Sequence, residues 1–170
     1  AEEHAVAMSS AMAKGGCKPV FLVMSSFVQR TYDQLSQDLA LNKNPAVILV
    51  FNGAISGMDM THLGIFDIPL ISNIPNIVHL APTTKQEYLA MLNWGLEKTR
   101  HPVVIRVPLQ IREGAAVEAN FDELNVYQTS KTGSKVAILG LGNFFDLGEK
   151  VVEKLKEHSI EATLVSPRYI

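Results

Sequence analysis

The chain has 170 residues, 47% hydrophobic and 19% charged, with a formal net charge of −2. That length supports one sizeable core and part of a second, and the near-neutral charge excludes the basic patch that nucleic-acid phosphates demand. No apolar run reaches the roughly 20 residues that span a bilayer, no basic amphipathic stretch marks a membrane surface, and one cysteine excludes disulfide frameworks and zinc clusters. The expectation is a cytoplasmic globular protein in which Cys17 is a small buried residue.

The chain opens on an Ala/Met-rich helical segment with Glu2 and Glu3 in its first turn, where the helix dipole favours carboxylates. Short, nearly continuous apolar runs then alternate with stretches of helical period. Val20–Met24, Ala46–Phe51, Ile77–Leu80, Val103–Arg106, Val136–Leu139 and Thr163–Val165 are the runs, and their β-branched content predicts strands covered on both faces. Tyr32, Leu35 and Leu39 keep a helical spacing, as do Tyr88, Met91, Leu92 and Leu96, and later Leu147, Val151 and Leu155. Thr84 and Glu87 predict a capping box, and Pro102 stops that helix before the next strand. Strand–helix alternation of this kind predicts an α/β fold with an open, mostly parallel sheet flanked by helices.

Between Arg112 and Ser134 the pattern breaks into a polar, mixed stretch, expected to be a connection with an edge strand around Leu124–Gln128. Beyond it come only strand, helix and strand, too few elements to close a core of their own. The expected organisation is a first domain over residues 1–113, a linker over 114–134 and an incomplete second α/β domain over 135–170. Both ends read as cut, so a longer intact protein is expected.

Four segments in order carry a resemblance: Ala1-Glu2-Glu3-His4-Ala5-Val6, the run Ser25 through Gln34 (SSFVQRTYDQ), Thr61-His62-Leu63-Gly64-Ile65-Phe66-Asp67, and Ile74-Pro75-Asn76. With these in register the chain resembles the pyrimidine-binding domain of the 1-deoxyxylulose-5-phosphate synthase and transketolase family, followed by the start of its C-terminal domain. The resemblance implies the thiamine-diphosphate-binding fold and a transferase that moves a two-carbon unit between carbonyl compounds.

Residue by residue, the resemblance implies the following roles. Glu2 falls on the glutamate that bonds a pyrimidine ring nitrogen of thiamine and favours its imino tautomer; otherwise it is a helix-end carboxylate. That work calls for a carboxyl buried from water with a raised pKa. Phe27, elsewhere a routine core aromatic, would stack on the aminopyrimidine. Arg30, elsewhere a solvated helix residue, would lie near the same ring. Met24 stands where the family usually has a tyrosine, which weakens the polar contacts there. His62 would orient substrate or shuttle a proton, with Asp59 near the place of a loop aspartate. His4, His79, His101 and His158 are expected to be structural. Gly140-Leu141-Gly142 is a lone G-x-G, expected to be a strand–helix turn rather than a nucleotide loop.

Two departures bear on substrate. Where the family carries arginines for a triose phosphate, this chain has Asn52 and Leu109, and Arg106 matches the residue preceding one of those ligands. Loss of two guanidinium groups removes bidentate phosphate contacts of about 1.5–3 kcal/mol each. No Gly-Asp-Gly segment followed by asparagine is present, so Mg2+ and the diphosphate would be held by residues outside this chain or on another subunit. The expected partners are small-molecule substrates, that facing diphosphate-binding domain, and a second copy in a homodimer. Alternatives are a relative with a different, unphosphorylated acceptor, or a degenerate paralogue serving as a dimerisation module. These 170 residues alone are expected to be inactive.

Overall fold

A computed structural model describes residues 1–54, 60–115, 121 and 123–170. The first sheet has four strands, β1 (Val20–Met24), β2 (Val47–Phe51), β3 (Val78–Leu80) and β4 (Val103–Val107), all parallel and ordered β1-β2-β4-β3. All five residues of β4 and the first four of β2 are buried, because helices cover both faces of the sheet. On one face lie α1 (Glu2–Lys14), a 3₁₀ turn (Val28–Thr31) and a π-helical segment (Gln34–Ala40). There Val6, Val28, Leu35 and Leu39 pack on Ile48, Val50 and Val104. On the other face α3 (Lys85–Glu97) sets Met91 and Trp94 against Leu49, Val103 and Ile105.

The strands match the apolar runs to within one residue at each end. The helical period at Tyr32, Leu35 and Leu39 is realised as a 3₁₀ turn running into the wider π form, with the amide of Leu41 bonding the carbonyl of Ser36. The Thr84 hydroxyl accepts from the amide of Glu87 as a helix cap. The return half of the box differs: the Glu87 carboxylate reaches past the cap to the amide and hydroxyl of Thr83, at 2.7 and 2.9 Å. A short helix absent from the sequence reading, α2 (Asp67–Ser72), follows the Thr61–Asp67 segment. Pro69, a residue that reads as a breaker, sits in its first turn, where a missing N–H costs nothing. Cys17 is exposed, not buried: it lies just past α1, in the turn before β1.

The second sheet has order β5-β7-β6, with β6 (Val136–Leu139) parallel and β5 (Gln128–Lys131) antiparallel to β7 (Ala162–Ser166). The edge strand expected around Leu124–Gln128 therefore begins at Gln128 and runs on through Lys131. Gly140 to Gly142 forms the turn leading through a 3₁₀ turn into α4 (Phe145–Glu157). The chain end returns to the first sheet. Tyr169 bridges Leu80, the amide of Ala81 bonds the carbonyl of Arg168, and the Arg168 guanidinium meets the buried Glu87 carboxylate at 3.2 Å.

Candidate active site

The carboxyl ends of β1 and β2 carry the sequence-predicted site. Pairing continues one residue past the strands, with the amide of Ser25 on the carbonyl of Phe51, and the chain then turns tightly as Phe27 N–H bonds the carbonyl of Met24. Phe27 is partly buried against the core, and the 3₁₀ turn after it brings Arg30 back. The Arg30 guanidinium carbon lies 5.1 Å from the Phe27 ring centre, a cation–π contact, and its Nη1 reaches Glu2 Oε2 at 3.4 Å. On the other side, the His62 ring meets Phe27 edge-on, with centroids 5.6 Å apart and planes at 82°. His62 Nδ1 is 2.7 Å from the Thr61 hydroxyl. Four residues from three separated segments thus form one contiguous row: Glu2, Arg30, Phe27 and His62.

Beside that row is a cavity of about 330 Å³, walled by Glu2, Ala5, Phe21, Val23, Met24 and Phe27. Its lining mixes apolar side chains with polar groups, among them the Glu2 carboxyl. Apolar walls beside a hydrogen-bonding carboxyl suit a flat aromatic ring that carries a nitrogen.

Glu2 stands partly exposed at the start of α1. A buried carboxyl with a raised pKa was expected; instead its pKa is pushed down to about 2. The leading cause is a hydrogen bond from its own backbone amide at the helix start, with a smaller contribution from Arg30. A helix N-terminus presents free N–H groups, and the Arg30 guanidinium lies beside the carboxylate, so the charged form is favoured.

The remaining expected residues fall as follows. Met24 lines the cavity. Asn52 closes β2 in the left-handed region, with φ at 56°, and its carbonyl accepts from the amide of Ala54. Leu109, after β4, is exposed. Asp59 lies outside the described residues. Among the described residues, no group of three or more His, Cys, Asp or Glu could hold a metal ion, and no helix is long and apolar enough to cross a membrane.

Sequence reasoning missed the bracket beneath the row. Arg106, in an otherwise apolar strand, donates from Nε to Asp67 Oδ2 at 2.6 Å and from Nη2 to the carbonyl of Gly64 at 2.7 Å, all buried. The available signal was Arg106 itself, since a charge in a doubly covered strand needs a buried partner. Nearby on β3, burial and the Arg106 charge depress the His79 pKa to about 3, and neither ring nitrogen has a hydrogen-bond partner among the described residues.

Comparison with known proteins decides the family. Residues 1–112 match the family model "Transketolase, pyrimidine binding domain". The chain belongs to that family. The chain is 34% identical to the 1-deoxy-D-xylulose-5-phosphate synthase of Natranaerobius thermophilus over 173 residues, an alignment that covers 100% of the chain and 27% of that relative. The synthase of Acidobacterium capsulatum is 36% identical over 178 residues, again with 100% and 27% covered. The chain therefore spans about a quarter of the length of these curated relatives. Among solved structures, a split-gene transketolase described as an inactive beta4 tetramer superimposes with a TM-score of 0.82 at 20% identity, covering 100% of this chain and 55% of that one. A Pichia stipitis transketolase in complex with sedoheptulose 7-phosphate gives 0.78 at 20% identity, covering 89% and 23%. These likenesses establish the fold, a mostly parallel sheet flanked by helices.

Proposed function

We propose that this chain is the part of a thiamine-diphosphate-dependent transferase that receives the aminopyrimidine, in an enzyme of the 1-deoxyxylulose-5-phosphate synthase class. The observation that carries the reading is the row Glu2, Arg30, Phe27 and His62 beside a cavity walled by Phe21, Val23, Met24 and Phe27. The bound group supplies the electron sink needed to move a two-carbon unit between carbonyl compounds. Phe27 and Met24 offer the ring an apolar wall. Glu2 donates its carboxyl proton to a ring nitrogen, which has a lone pair and no N–H of its own. A ring seated there displaces water from the Glu2 carboxylate, which moves its pKa up from about 2 toward the range of a proton-sharing group. Arg30 holds that carboxylate in place, and His62 presents an imidazole on the substrate side.

The reading includes a domain over residues 1–113, a connection over 114–134 and the opening of a C-terminal domain over 135–170. It includes Mg2+ and diphosphate held by residues outside this chain, a cytoplasmic location and a homodimer that brings the two half-sites together. A second reading, with an unphosphorylated acceptor, is favoured by one observation: the polar Asn52 and the exposed Leu109 stand at strand ends where the family would use cations.

The test is carboligation by the full-length protein supplied with thiamine diphosphate and Mg2+, with pyruvate as donor and either glyceraldehyde 3-phosphate or glyceraldehyde as acceptor. Turnover that falls about 10²–10⁴-fold in Glu2→Gln supports the role given to Glu2. Turnover with the phosphorylated acceptor alone defeats the second reading. A full-length protein that binds no thiamine diphosphate defeats the proposal as a whole.

A further inference from the structure

We infer that Arg106 and Asp67 are positioning residues for His62, acting through the carbonyl of Gly64. This rests on the substrate-side role given to His62 above. His62 lies in a segment whose neighbours Met60, Thr61, Ile65 and Phe66 are exposed. Yet Gly64, two residues on, is buried and held at two points. Its carbonyl accepts from Arg106 Nη2 at 2.7 Å. Its Cα lies directly on the end of β2: a Cβ at this position would sit 1.7 Å from the carbonyl oxygen of Asn52 and 2.9 Å from the amide nitrogen of Ala54. Only glycine permits that approach.

The arginine is itself fixed. Its Nε bonds Asp67 Oδ2 at 2.6 Å, with the two side chains 8% and 0% exposed, and Asp67 opens α2 just past the segment. Gly53 leaves room for the pair, since a Cβ there would fall 2.5 Å from Arg106 Cγ and 3.0 Å from Asp67 Oδ2. The planar fork of one guanidinium thus ties β4, the start of α2 and the middle of the His62 segment to the end of β2. A lysine cannot reproduce this, because its point charge satisfies Asp67 and leaves the Gly64 carbonyl without its donor. The left-handed backbone of Asn52, φ 56°, turns its carbonyl to where Gly64 docks. The expected substrate residue Asn52 thereby acquires a backbone task as well.

The experiment uses the full-length protein with two variants, Arg106→Lys and Gly64→Ala; the second leaves the buried charges untouched. Hydrogen–deuterium exchange read by mass spectrometry needs no cofactor and no turnover. The expected result is exchange over residues 60–67 accelerated by about tenfold in both variants, with the peptides of α3 and β4 unchanged. In steady state, kcat should fall about 10- to 100-fold while thiamine diphosphate affinity stays at the wild-type value. Unchanged exchange over 60–67 overturns the inference, and so does acceleration spread evenly over the first sheet, which would make the pair a general stabiliser. An inactive wild-type protein would defeat the proposed function, while the exchange experiment would still decide whether the bracket holds the segment.

Discussion

Two arginine–carboxylate pairs lie close to the same site and differ in nearly every physical respect. Arg106 and Asp67 meet at 2.6 Å inside the sheet, with side chains 8% and 0% exposed. Arg30 and Glu2 meet at 3.4 Å, with side chains 58% and 21% exposed. The buried pair is shielded from water and screened little by salt, so its geometry is stiff and loss of either partner strands a charge. The rim pair shares its hydrogen bonds with solvent and can rearrange when a ligand displaces that solvent. Rigidity has been placed under the row and adaptability in it, an arrangement suited to a site that receives a ring.

The largest effect should come from stranding the buried charge. Asp67→Ala should destabilise the fold by about 3–5 kcal/mol in urea unfolding. A double replacement, Asp67→Leu with Arg106→Met, should cost clearly less than Asp67→Ala alone, because no charge is left without a partner. A single-variant loss below about 1 kcal/mol would place the pair with surface ion pairs.

A middle-sized effect belongs to His79, buried between the two faces of the same framework. Its folded-state pKa of about 3 lies below the ordinary histidine value of 6.5, so the unfolded chain binds the proton first. The stability that depends on neutral His79 is present in full above pH 6.5 and is lost as pH falls toward 3. The expected slope is about 1.4 kcal/mol per pH unit for one proton. His79→Met should abolish that slope and, by removing two unpaired buried nitrogens, raise stability at neutral pH by about 1 kcal/mol. Urea titrations at several pH values read both effects, and an unchanged slope in the variant would assign the acid sensitivity elsewhere.

The smallest effect on stability belongs to the rim. Arg30→Ala should leave the urea midpoint unchanged within error, yet weaken thiamine diphosphate binding to the full-length protein by about 2- to 5-fold, the scale of an exposed cation–π contact. The Glu2 contribution runs opposite in charge type to that of His79. Its depressed pKa means that any stabilisation is present above about 4.5 and is lost as pH falls through about 2. A rim variant that unfolds the protein would erase the contrast between the two pairs.

Much of this was legible in the chain, for local reasons. Val47–Phe51 and Val103–Val107 read as strands because a doubly covered strand is apolar at nearly every position, Arg106 being the exception that needs a buried partner. Thr84 read as a cap because its hydroxyl acts within its own turn. Glu2, Phe27, Arg30 and His62 were nominated by resemblance, and the fold brings them into one row. The errors are equally physical. Cys17 was expected inside on its residue type, but its position between α1 and β1 leaves it at the surface. Glu2 was expected to be buried from water, but it stands partly exposed at the start of α1, where its own backbone amide lowers its pKa.

By itself, the sequence determined the α/β pattern and the residue types offered to the site, since periodicity, β-branching and capping act over a few residues and survive without tertiary context. Only the tertiary structure decided that Arg106 on β4 would find Asp67 at the start of α2 and the carbonyl of Gly64 beside it, and that Gly53 and Gly64 would leave room for that meeting. Those partners are separated by dozens of residues, and their energy comes from sharing one water-free space. No local rule of spacing encodes that proximity; it arises when the strands are laid side by side in the order β1-β2-β4-β3.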